Sequence, residues 1–80
     1  MSVVLVTGAS RGIGRAIVAR FVREGCNVIA CARGEAGLAE LKADFPNVDG
    51  IACDMRDGAA VDALACEVQA RHGAIDLLVN

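Results

Sequence analysis

The chain of 80 residues supports one domain with a modest core, because a chain this short buries a limited share of its unfolded surface. Being 55% hydrophobic and 22% charged with one proline excludes a disordered segment, and a formal net charge of -2 excludes a broad basic surface for nucleic acid or an anionic membrane. Two phenylalanines with no tryptophan or tyrosine leave Val, Ile, Leu and Ala to fill the core, which suits helices layered on a sheet.

The opening run Met-Ser-Val-Val-Leu-Val turns polar at Thr7, too short for a signal peptide or a membrane span, so a cytoplasmic protein is expected. Val3 to Val6 is predicted as the first strand, and its unbroken apolar run predicts burial on both faces. A helix follows from about Gly12, with Ile13, Ile17 and Phe21 on its apolar face and a stop at Gly25 after Glu24. Asn27 to Ala32 is the second strand. Leu38, Leu41 and Phe45 stripe a second helix that Pro46 ends, since the residue before proline is driven out of the helical region.

Val48 to Cys53 is the third strand. Asp57 is a good N-cap for a third helix with a buried stripe of Val61, Leu64, Ala65 and Val68, ending at Gly73. Arg71 and His72 fall in its last turn, where cations favour the helix dipole, so His72 reads as structural rather than catalytic. Ile75 to Val79 is the fourth strand, again with an apolar run at Leu77-Leu78-Val79 that predicts two-sided burial.

Strands alternating with helices predict an α/β fold: a three-layer, doubly wound parallel sheet, of which residues 1–80 supply the N-terminal part β-α-β-α-β-α-β. In the strand order 3-2-1-4-5-6 the fourth strand is interior, yet here it has no fifth strand beside it. The expectation is a fragment truncated before its catalytic part, or an edge covered by a partner chain. Cys26, Cys31, Cys53 and Cys66 form no C-x-x-C pair and no zinc spacing with histidine; they read as small buried hydrophobes, with no metal expected.

Between the first strand and first helix runs Thr7-Gly8-Ala9-Ser10-Arg11-Gly12-Ile13-Gly14, a glycine-rich loop where a parallel sheet binds phosphates. Gly8 permits the tight turn, Gly12 lets backbone N–H groups approach a pyrophosphate, and Gly14 lets the helix pack close to the sheet. The loop follows a strand and opens an amphipathic helix, so it predicts dinucleotide binding of the Rossmann type rather than a purely structural turn.

NAD-specific domains of this type place an acid against the ribose 2′-hydroxyl at the end of the second strand. Here that strand ends Ala30-Cys31-Ala32-Arg33, with alanine at the acid's position and an arginine beside it. A guanidinium pairs with the 2′-phosphate that NADP has and NAD lacks, so NADP is expected over NAD, with Arg11 a second candidate for that phosphate. The alternative is that Arg33 and Arg11 are solvated surface cations. Asp54, at the end of the third strand, has a carboxylate that suits an adenine amino group; the rival reading is an Asx turn before the next helix.

At these residues the chain resembles the short-chain dehydrogenase/reductase family from Met1 through Asn80. Thr7 to Gly14 fits its T-G-x-x-x-G-x-G loop, Cys53-Asp54-Met55 its adenine-contacting Asp, and Leu78-Val79-Asn80 the start of its L-V-N-N-A-G segment. The resemblance implies that Ser10, Arg11 and Ile13 line the phosphate loop and that Arg33 selects NADP. It also implies that Asp54 and Met55 hold adenine and that Asn80 begins the segment beside the cofactor ribose. It implies a homo-oligomeric oxidoreductase that interconverts alcohols and ketones on a small-molecule substrate.

The family's catalytic Ser and Tyr-x-x-x-Lys have no counterpart here. There is no tyrosine, and Lys42, the single lysine, reads as a solvated position on the second helix. No catalytic residue is therefore expected within the chain, which alone should be inactive. The competing reading is a non-catalytic dinucleotide-binding module complete at 80 residues. A methyltransferase or flavoprotein is disfavoured by the loop spacing and by Arg33.

Overall fold

A computed structural model describes residues 2–80; Met1 lies outside the described residues. The elements run β1 (Val3–Thr7), α1 (Gly12–Arg23), β2 (Asn27–Ala32), α2 (Glu35–Asp44), β3 (Asp49–Ala52), α3 (Gly58–His72) and β4 (Leu77–Val79). The four strands form one sheet in the order β3-β2-β1-β4, every neighbouring pair parallel. Successive side chains on a strand point to opposite faces, so the apolar runs of β1 and β2 feed two cores at once. Val4, Val6, Val28 and Ala30 pack with Val18 of α1 and Leu41 of α2 on one face. Leu5, Ile29 and Cys31 pack with Leu64 and Val68 of α3 on the other. Three layers result, with the central pair of strands held between helices.

Of the three residues expected on the packed face of α1, Ile17 and Phe21 are there and Ile13 is not. Ile13 is 81% exposed, while Val18 is fully buried and Ile17, Phe21 and Val22 pack partly against the core. Gly14 and Val18 are four residues apart and share a face. A Cβ on Gly14 would lie 2.1 Å from the Gly8 carbonyl oxygen, so that face abuts the loop, and Ile13, a residue earlier and about 100° around the helix, points away. On α3 the stripe narrows to Leu64 and Val68 with Ala60 and Val61 partly covered; Ala65 and Cys66 lie on the outer face. Cys66 is thus exposed and Cys26 half-buried, so only Cys31 and Cys53 behave as buried hydrophobes.

β3 and β4 are shorter than expected. Pairing of β3 with β2 runs only from Asp49 opposite Ile29 to Ala52 opposite Ala32. Val48, though buried, sits in a turn whose N–H donates to the Phe45 carbonyl at 3.1 Å. At β4 the Asp76 carboxylate accepts from Val3 N–H at 2.7 Å and the Asp76 N–H donates to the Val3 carbonyl at 2.9 Å, which leaves Ile75 outside the ladder. Leu77 and Leu78 are 45% and 56% exposed rather than buried on both faces, because β4 is an edge strand flanked by β1 alone.

The far end of α3 is tied down by polar contacts. His72 Nε2 lies 2.7 Å from Asp49 Oδ2, Arg71 donates to Asp49 Oδ1 at 2.8 Å, and the His72 ring also meets Asn27. Burial pushes the Asp49 carboxyl up, but the bonds from His72 and Arg71 outweigh it and hold it below the usual range. At the near end Asp57 Oδ1 accepts from Ala59 N–H at 3.0 Å and Ala60 N–H at 3.4 Å. Asp57→Ala is expected to cost about 1 kcal/mol, the usual worth of an N-cap. Thermal melts should show a loss for alanine that Asp57→Asn largely avoids; equal melting of the two would remove the capping role.

Candidate functional site

The C-terminal ends of β1, β2 and β3 meet at one rim of the sheet, where each strand passes into a loop. After β1, Gly8 and Gly12 both take left-handed backbone, at φ 60° and 62°, where a side chain would be strained. The loop folds back over the sheet: Ala9 N–H donates to the Cys31 carbonyl at 3.1 Å. Arg11, at the N-cap of α1, makes no side-chain cap bond and the first turn carries no acid, in contrast to the Asp57 cap of α3. The N–H groups of its first turn have no partner within the helix, so that end offers donors and positive potential to an anion.

An open cleft of about 720 Å³ follows this rim. Gly8, Ser10 and Arg11 border it from the first loop, Arg33 from the end of β2, and Asp54 and Met55 from the segment after β3. Gly12 lines an adjoining hollow with Ser10, Arg11, Arg15 and Asp44. Ile13, Gly14 and Asn80 lie outside the cleft wall: Ile13 projects into solvent, Gly14 packs on the Gly8 carbonyl, and Asn80 Oδ1 accepts from Thr7 Oγ1 at 2.8 Å. Asn80 therefore stands at the β4 side of β1, across that strand from the cleft.

The charges in the cleft differ in how they are committed. Asp54 takes the Asx-turn geometry, accepting from Arg56 N–H at 3.0 Å while the Arg56 guanidinium grips both carboxylate oxygens at 3.1 Å. Those bonds from Arg56, helped by the charge of Arg33, hold the Asp54 carboxyl at about 2, so it stays an acceptor at any working pH. Among the described residues Arg15, Arg20, Arg56 and Arg71 are in ion pairs; of the three arginines in none, Arg11 and Arg33 border the cleft and Arg23 does not. The cleft thus presents two guanidinium groups free to meet an anion. Burial, then the neighbouring Cys53, pushes the Cys31 thiol up to about 11, so it is a protonated wall and not a nucleophile.

Residues 2–80 match the family model for short chain dehydrogenases. The chain belongs to the short-chain dehydrogenase family. It is 45% identical over 82 residues to D-threitol dehydrogenase of Mycolicibacterium smegmatis, covering 98% of this chain and 32% of the relative. It is 42% identical over 79 residues to 3-oxoacyl-acyl-carrier-protein reductase of Vibrio harveyi, with the same coverage. Among solved structures, a short-chain dehydrogenase from Streptomyces avermitilis superposes with a TM-score of 0.90 at 43% identity, covering 98% of this chain and 30% of that one. The citronellol catabolism dehydrogenase of Pseudomonas aeruginosa gives a TM-score of 0.95 at 30% identity, over 99% of this chain and 35% of its own. The chain thus spans about a third of the length of the relatives it matches. Short-chain dehydrogenases are oxidoreductases that bind nicotinamide dinucleotides, and the cleft at the strand ends is where a doubly wound sheet binds them.

Several cleft residues were not singled out from the sequence. Arg56 is one; its signal is the Asp-x-Arg spacing, which an Asx turn closes into a ring. Gly37 of α2 is another: a Cβ there would lie 2.8 Å from Ser10 Cβ, so its absence lets α2 approach the loop. A glycine inside a helix costs about 1 kcal/mol against alanine, and that unexplained cost was the available clue. Glu40 borders both hollows and adds a negative charge to their lining. Lys42 is exposed on α2, as a solvated position should be. No helix among the described residues is long and apolar enough to cross a membrane.

Proposed function

We propose that this chain is the cofactor-binding portion of an NADP(H)-dependent oxidoreductase that interconverts alcohols and ketones. One observation carries the choice of NADP: Arg33 and Arg11 border a single cleft without carboxylate partners, and Ala32 stands where an NAD-specific domain has its acid. The residues fit a dinucleotide. The uncapped start of α1 and the left-handed Gly8 and Gly12 suit the pyrophosphate, while Gly14, where a Cβ would strike the Gly8 carbonyl, keeps helix and loop close enough to hold it.

On this reading Ser10, Arg11 and Ile13 flank the phosphates, Arg33 meets the 2′-phosphate, and Asp54 and Met55 receive adenine, with Arg56 fixing the Asp54 carboxylate. Asn80, held by Thr7, stands toward the ribose on the other side of β1. The bound nicotinamide supplies hydride transfer. The proton donor and the small-molecule substrate pocket belong to residues outside this chain, in a cytoplasmic, homo-oligomeric parent.

A hydrogen bond to a charged group is worth roughly 1.5–3 kcal/mol, and solvent screening at an open cleft reduces the preference two arginines confer to about 10- to 100-fold. Isothermal titration should therefore show NADPH binding about 10- to 100-fold more tightly than NADH. Arg33→Ala should erase most of that difference by weakening NADPH alone. Equal affinities in the unmodified protein would overturn the NADP assignment; a variant that loses both cofactors equally would remove Arg33 as the selecting residue.

A further inference from the structure

Beneath the cleft lies a cluster of sulfur atoms to which the dinucleotide reading gives no joint role. Cys31 is the last residue but one of β2 and Cys53 directly follows β3, the neighbouring strand, and both thiols turn to the α3 side of the sheet. Met55, two residues beyond Cys53, bends back over them. Its Sδ lies 3.9 Å from Cys31 Sγ and 3.9 Å from Cys53 Sγ. Cys31 is fully buried and Cys53 is 7% exposed, while Met55 is 42% exposed and borders the cleft. Two thiols thus form a sheltered floor with a thioether at the entrance.

We propose that Cys31, Cys53 and Met55 form a three-sulfur site for a soft monovalent metal ion of the copper(I) class. Thiolate and thioether donors select copper(I) over the harder divalent ions. The two separations seen, 3.9 Å from Met55 Sδ to each thiol, suit a three-coordinate ion, in which metal–sulfur bonds of about 2.3 Å set the sulfurs about 4.0 Å apart. No group of three His, Cys, Asp or Glu side chains meets among the described residues, so an ordinary zinc or hard-cation site is not an alternative use of these sulfurs. Entry is open from the cleft through Met55, and the buried pair then completes the shell.

Charge and protons balance simply. The ion displaces the protons of Cys31 and Cys53, so two S–H bonds break and two metal–thiolate bonds form while the protons pass to solvent; Met55 Sδ donates a lone pair, and nothing is oxidised or reduced. Cys26 and Cys66 are the other free thiols, and Cys66 is exposed, so adventitious binding must be removed before the site is counted.

The test is anaerobic titration of the fully reduced protein with copper(I), using bicinchoninate as competing chelator, in the unmodified protein and in a Cys26→Ser/Cys66→Ser background. One tightly held copper(I) per chain is expected in that background. Cys31→Ser or Cys53→Ser added to it should weaken binding at least 100-fold. Met55→Leu conserves volume at an exposed position and should leave the fold intact; it should weaken binding about tenfold and reduce the copper X-ray absorption shell from three sulfurs to two. Loss of tight binding in the Cys26→Ser/Cys66→Ser background would overturn the site. So would a sulfur shell and affinity that Met55→Leu leaves unchanged, a readout that stands even where a buried serine unfolds the chain.

Discussion

Gly14→Ala is expected to destabilise the protein by about 3 kcal/mol and to abolish saturable dinucleotide binding. The added Cβ would lie 2.1 Å from the Gly8 carbonyl oxygen and 2.8 Å from the Gly8 carbonyl carbon, with Ala9 Cα at 3.1 Å. All three neighbours are backbone, so no side chain can swing aside; either α1 lifts from the loop or the loop gives up its left-handed turn. Overpacking of this kind typically costs about 1–3 kcal/mol, and backbone obstacles place it at the upper end. Gly58→Ala is the matching control, since a Cβ there meets nothing within 4 Å at a helical position. Urea denaturation should show a large loss for the first and no loss for the second. A Gly14→Ala protein with an unchanged midpoint would mean that the loop is not held in this close approach.

Ile29→Ala should be the most damaging core truncation, at about 2–5 kcal/mol. Ile29 is fully buried on β2, an interior strand, opposite Leu5 of β1 and Asp49 of β3, and packs with Leu64 and Val68 of α3. Stability of roughly 0.05–0.15 kcal/mol per residue gives a domain this small only several kcal/mol in total, so the truncation removes a large part of it. Ile29→Val, which removes one methylene, should cost about 0.5–1.5 kcal/mol. Equal denaturation midpoints for the two variants would show that the α3 face relaxes around the gap instead of depending on it.

The arrangement of the candidate site follows from how the chain is threaded. Each loop after a parallel strand emerges at the same sheet rim, so residues as far apart in sequence as Ser10, Arg33 and Asp54 come to border one cleft. The same threading brings Cys31 and Cys53, on neighbouring strands, to the same face beneath it. The edge at β4 marks the boundary of what this chain encloses: Leu77 and Leu78 keep an exposed face, and the relatives that share the fold are about three times as long.

By itself the sequence determined the element order, the parallel doubly wound sheet, the glycine loop and the strand-end positions of Arg33 and Asp54. Those features are local: alternating periodicity, a proline after Phe45, a capping Asp57 and glycines at fixed spacing each act through their own backbone neighbours. The tertiary structure alone decided which faces found partners. Ile13 and Ile17 share an apolar stripe with Phe21, yet Ile13 is turned outward because Gly14 takes the place against the loop. Cys66 and Ala65 are apolar enough for a core but lie on the outer side of α3, and the Arg56 grip on Asp54 required a turn to close. Periodicity states which residues lie together on an element; burial depends on what packs against that face, and that contact comes from chain segments distant in sequence.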